Sequence, residues 1–93
     1  MNKLDQNQNL HQSVPARPRP GRYRHYKGGE YWVYGCATHS ETEQPLVVYR
    51  PLYGARELWV RPLEMFMEDV EIEGKNLPRF AFVEGGSEDG PEL

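Results

Sequence analysis

The chain has 93 residues, 38% hydrophobic and 27% charged, with a net charge of −3. A chain of this size supports one hydrophobic core. Its longest apolar runs, such as Tyr31 to Tyr34 and Phe80 to Val83, fall far short of the roughly 20 residues a membrane helix needs, and a signal peptide is not expected after Met1. The lone Cys36 excludes an internal disulfide framework and any CxxC zinc or redox motif, so a reducing cytoplasm is the expected compartment.

Charge and aromatic content divide the chain into three parts. Residues 1–20 begin Asn/Gln-rich and continue through Pro15-Ala16-Arg17-Pro18-Arg19-Pro20, a stretch that favours extended polyproline II and excludes helix. Residues 84–93 carry four carboxylates, at Glu84, Glu88, Asp89 and Glu92, and no base. Every Trp, Tyr and Phe lies between Tyr23 and Phe82. Tails without such residues bury too little surface to offset chain entropy, so disordered tails at 1–20 and 84–93 are expected to flank a folded domain at 21–83.

Within the domain, Tyr23 to Tyr26 reads as a short strand, and Lys27-Gly28-Gly29-Glu30 as a tight hairpin turn. Tyr31 to His39 reads as a long strand with a bulge or bend at Gly35. Ser40-Glu41-Thr42-Glu43 has the form of a capping box, with room for one helical turn before Pro45. Strands follow at Leu46 to Arg50 and at Glu57 to Arg61, closed by Pro51 and Pro62, and Leu63 to Met67 fits a single helical turn. Val70 and Ile72 alternate with Asp69, Glu71 and Glu73, the period of a half-buried strand, and Arg79 to Val83 supplies the last strand, with Phe80 and Phe82 on one side. Five or six short strands with one or two helical turns are too few for two full sheets. The expected fold is all-β, a small, strongly bent barrel whose closure limits exposed edges.

The ordered motifs Gly21-x-Tyr23-x-His25-Tyr26-Lys27-Gly28-Gly29-x-Tyr31, His39-Ser40-Glu41-Thr42, Val48-Tyr49, Trp59-Val60-Arg61-Pro62 and Met65-Phe66 resemble a bacterial family of small proteins known as domain of unknown function 1653. The resemblance implies a compact SH3-like barrel and no established activity.

Among the polar residues, Trp59-Val60-Arg61 is the most suggestive. Strand alternation puts Trp59 and Arg61 on one face, and with Leu58 and Val60 in the core they would stand together outside, able to stack a planar group and grip an anion. The competing reading has Arg61 lying over Trp59 to cover its apolar surface. His39, Glu41 and Thr42 place an imidazole, a carboxylate and a hydroxyl in one loop, although Ser40 and Thr42 can equally cap backbone amides there. His25 and Lys27, beside Gly28 and Gly29, form a secondary anion-binding turn candidate. No nucleotide-loop glycine motif, zinc-site spacing or catalytic triad is present, so no cofactor, metal or catalytic residue is expected. Cys36 reads as a small apolar residue within a strand.

The leading expectation is a non-catalytic binding module whose groove uses His39, Glu41, Thr42, Tyr49, Trp59 and Arg61, with a peptide, protein segment or small anionic ligand as partner. RNA or single-stranded DNA is an alternative that the domain's net negative charge disfavours. A small accessory enzyme using His39 as acid–base group and Arg61 as anion clamp is another. A third is self-association, as monomer or weak dimer, through Val47 and Tyr49 or through Trp59.

Overall fold

The structure, a computed structural model, describes residues 16–93. The Asn/Gln-rich stretch, and the expectation of disorder attached to it, lie outside the described residues. Seven strands and one short helix follow in order: β1 (Gly21–His25), β2 (Gly28–Thr38), β3 (Pro45–Pro51), β4 (Trp59–Pro62), α1 (Leu63–Phe66), β5 (Asp69–Ile72), β6 (Lys75–Pro78) and β7 (Phe80–Glu84). All pairings are antiparallel, giving a five-stranded sheet in the order β4-β3-β2-β1-β7 and a separate β5–β6 hairpin. The domain is all-β, as the sequence leads one to expect.

Three details correct the strand-by-strand reading. Among the described residues the strand count is seven, because Lys75–Pro78 pairs with Asp69–Ile72 across Glu73-Gly74. Both turn residues have positive φ, 53° and 81°, the geometry of a primed hairpin turn, which Glu at the first position does not announce. The segment after His39 makes a non-helical turn, leaving α1 as the single helix among the described residues. Glu43 adopts φ 64°, and a left-handed residue there ends any helical path.

Side-chain alternation assembles one core from the sheet's inner face. Tyr23 from β1, Tyr31 and Val33 from β2, Val47 and Tyr49 from β3, and Phe80 from β7 pack with Leu63 and Phe66 of α1. The Phe66 and Phe80 rings stack at 4.2 Å. The shift in β2–β3 register between Val33 and Gly35 is the bulge expected at that glycine. Gly21, at φ 148°, admits no side chain, since a Cβ there would stand 2.6 Å from the Phe82 ring.

Backbone pairing does not close the sheet, and β4 and β7 remain its edges. Side chains bridge them: the Arg61 guanidinium of β4 lies 5.5 Å from the centre of the Phe80 ring of β7. On the outer face, Arg22 pairs with Glu30 at 2.7 Å and with Glu84, and Arg24 pairs with Glu30 at 2.7 Å. Trp32, also on that face, is buried, with Gly85 and Gly90 lying against its indole. The Arg19 guanidinium stands 3.7 Å from the centre of the Phe82 ring, and the Arg19 carbonyl accepts a 2.8 Å hydrogen bond from the Tyr23 hydroxyl. Among the described residues no helix is long and apolar enough to cross a membrane.

Candidate functional site

Trp59 and Arg61 face the inner side of the sheet. Their partners across β3 are Tyr49 and Val47, both buried in the core, and directly opposed residues share a face. Leu58 and Val60 therefore point outward, and Val60 is 58% exposed, which reverses the orientation expected if these two aliphatic residues had filled the core. Because β4 is an edge, Trp59 is only half covered, at 43% exposure, and its ring packs edge-on to Tyr49 at 6.0 Å.

Tyr31 ties this edge to the opposite one. Its ring centre lies 5.6 Å from Tyr53, 6.3 Å from Trp59, 5.5 Å from Phe80 and 6.2 Å from His25. The Tyr31 and Tyr53 hydroxyls share a 2.6 Å hydrogen bond. Burial, reinforced by that bond, pushes the Tyr31 phenol up to about 12. Tyr53 belongs to the β3–β4 loop, which is pinned at several points. The Leu52 amide donates to the Glu30 carbonyl at 2.9 Å, and Arg50 Nη1 donates to the Arg56 carbonyl at 3.0 Å. Between this loop and Trp59 lies a cleft of about 280 Å³, walled by Tyr53 and Trp59 and bordered by Pro51, Arg56 and Glu57.

The far side of Tyr31 is cationic. Arg61 Nε donates to the Tyr49 hydroxyl at 3.0 Å, which fixes the guanidinium above Phe80. His25 packs edge-on to Phe80 at 4.9 Å, and its Nδ1 accepts the Lys27 amide at 3.1 Å. Burial, then the charges of Arg79, Arg61 and Lys27, hold the His25 imidazole below its ordinary 6.5. Arg79 is paired with Glu68 at 3.0 Å, whereas among the described residues Arg61 and Lys27 have no carboxylate partner.

The structure thus brings Tyr49, Trp59 and Arg61 together, with Tyr49 as the buried support of Arg61, and sets His25 against the Phe80 ring that Arg61 also covers, while the Lys27 ammonium lies 5.8 Å from the centre of the Tyr26 ring. The His39 loop stands elsewhere. It joins Thr38 to Pro45, roughly 13 Å along β3 from Tyr49 at strand spacing. There the Glu41 and Thr42 amides donate to His39 Nδ1 at 3.1 and 3.3 Å. His39 closes its own turn, and Arg61 is engaged with Tyr49 and Phe80, so these two residues do not share a site. His25, His39 and Glu41 do not converge either: among the described residues no group of three His, Cys, Asp or Glu side chains is placed to hold a metal. Tyr31 and Tyr53 are the members that sequence reasoning missed. The available signal was register: Tyr31 opposes Pro51, next to the loop that carries Tyr53.

The motifs from Gly21 to Phe82 that build this groove are those of a recognised family. The chain belongs to the DUF1653 family. The family, described as protein of unknown function, matches residues 21–82, the unit that carries both the sheet and the groove. The chain is similar to the crystal structure of a DUF1653 protein from Bordetella bronchiseptica, with 38% sequence identity and a TM-score of 0.66, covering 87% of this chain and 97% of that one. No curated protein matches the chain. The DUF1653 description names no activity, so the reading of the groove rests on its geometry.

Proposed function

We propose that the protein is a non-catalytic binding module for a small anionic ligand, or for a peptide or protein segment presenting an anionic group, held in the groove between the β3–β4 loop and β4. The observation that carries this reading is the arrangement around Tyr31: a cleft walled by two half-exposed aromatic rings on one side, and on the other an Arg61 guanidinium that has no carboxylate partner among the described residues. Aromatic walls with a few convergent polar groups are the common make-up of ligand sites. An unpaired guanidinium offers a planar fork of donors to an anion.

The test is an amide NMR titration of the full chain with pools of mononucleotides, sugar phosphates, short peptides and short RNA. Shifts centred on Tyr53, Trp59 and Arg61 are expected from one pool, and Trp59→Ala or Arg61→Ala should weaken them by roughly tenfold or more while the spectrum stays dispersed. Unchanged affinity in both folded variants would remove the groove from consideration. Shifts confined to His39, Glu41 and Thr42 would transfer the site to that loop.

A further inference from the structure

Trp32 points to the outer face of the sheet, away from the core, yet it is only 5% exposed. Residues 85–93 of the chain itself cover it. A Cβ at Gly85 would stand 2.8 Å from the indole, and one at Gly90 would collide with it outright. The Gly90 backbone does not adopt a positive φ, so the indole alone demands glycine there. Little else holds this segment to the sheet. The β1–β7 ladder ends at Glu84, and among the described residues no hydrogen bond ties residues 86–93 to the sheet. Residues 86–89 instead close a turn on themselves, the Gly86 amide donating to Asp89 Oδ2 at 2.9 Å and the Asp89 amide to the Gly86 carbonyl at 3.0 Å. None of residues 87–93 is buried. A cavity of about 460 Å³ lies where segment and sheet meet, with Arg22, Trp32 and Leu52 on one side and Asp89, Gly90 and Pro91 on the other.

We propose that the Trp32 face is a peptide-docking surface, that residues 85–93 are its intramolecular occupant, and that a segment of another protein presenting Gly-Pro to the indole displaces them. The partner's chemistry follows from the occupant's: Gly90 and Pro91 line the cavity beside the ring, which accepts only a backbone without a Cβ at that point. Charge is not what selects the partner, since Arg22 is already paired with Glu30 and Glu84. The surface belongs to the unit at 21–82 that the family matches, whereas the occupant lies beyond it. Uncovered, Trp32 is a large aromatic surface beside a guanidinium, the residue types that dominate binding interfaces. A segment tethered directly to β7 competes at a millimolar effective concentration, so it covers the face with few contacts and gives way only to a partner that binds better.

The full chain and its Gly90→Val variant are compared through the Trp32 indole N–H signal, assigned by Trp32→Phe, with the Trp59 signal as reference. In Gly90→Val the Trp32 signal should shift and exchange faster with solvent, while Trp59 stays in place and the spectrum stays dispersed. Gly86→Ala, whose Cβ meets nothing nearer than 3.8 Å, should leave Trp32 as in the natural chain. A synthetic peptide of residues 84–93, added in trans, should return the Trp32 signal of Gly90→Val toward its natural position. It should bind the natural chain roughly tenfold or more weakly, because the tethered segment competes. The same peptide carrying Gly90→Ala should bind neither chain. An unchanged Trp32 signal in folded Gly90→Val overturns the proposal. So does peptide binding that is equal in both chains, absent from Gly90→Val, or indifferent to Gly90→Ala in the peptide. Peptide shifts at Trp59 alone would move the peptide to the groove, overturning this assignment and leaving the reading of the groove in place.

Discussion

At His25, burial and three cationic side chains act together on one imidazole. Arg79, Arg61 and Lys27 add to the desolvation that already disfavours its charged form. An imidazole held below 6.5 in the folded state binds fewer protons there than in the unfolded chain over the interval between the two values. The unfolded state therefore gains as pH drops through 6.5, and stability falls until pH passes below the folded-state value. The expected result is a urea midpoint lower at about pH 5.5 than at about pH 7.5, with a smaller difference in His25→Gln; an identical difference in that variant would assign the effect to other groups. The sequence pointed to His25 and to the pair Trp59 and Arg61, because turn glycines and period-two alternation are local signals. It could not say which face of β4 was inner. That was decided by Tyr49 and Val47 on β3, whose burial draws the residues opposite them to the same side. His39 shows the reverse case. Its loop composition suggested exposed chemistry, but Nδ1 receives the amides of its own turn.

Among the elements, the β5–β6 hairpin is the least supported. Residues 71–78 are all exposed, and the hairpin joins the rest of the domain at its base, where the Tyr26 amide donates to the Arg79 carbonyl at 3.0 Å. A two-stranded ribbon without a covered face is marginal on its own. Amide hydrogen exchange should therefore be much faster at Val70, Ile72 and Leu77 than at Tyr31, Val33 and Val47 in the central strands, because the hairpin opens without unfolding the sheet. Comparable protection in both sets would show that the hairpin is locked to the domain. The same exposure explains why half of it was hidden in the sequence. Lys75-Asn76-Leu77-Pro78 lacks the β-branched and aromatic residues that mark buried strands. By contrast Gly35, set among such residues, announced its bulge, and Leu63 to Phe66, following Pro62, its helical turn.

For the whole molecule, Tyr31 is where core and groove meet. The ring contributes to the core cluster, while its hydroxyl faces the loop through Tyr53. The aromatic content between Tyr23 and Phe82 made a single all-β core legible, but convergence of β1, β2, β7 and the β3–β4 loop on one phenol is a product of long-range register. Its consequence is alkaline instability. A phenol held at about 12 in the folded state and at its ordinary 10.0 in the unfolded chain keeps its proton longer when folded. Its contribution is intact below pH 10 and is lost progressively as pH rises toward 12, because the unfolded chain releases the proton first. Tyr23, whose phenol burial also raises, acts in the same direction. Alkaline titration followed by both tyrosinate absorbance and far-ultraviolet circular dichroism should show Tyr31 ionising together with loss of the sheet. In Tyr53→Phe, which removes the hydroxyl partner, ionisation and unfolding should both move to lower pH. Tyr31 ionising near 10 with the sheet still intact would mean that the phenol is solvated and that it does not join the core to the groove.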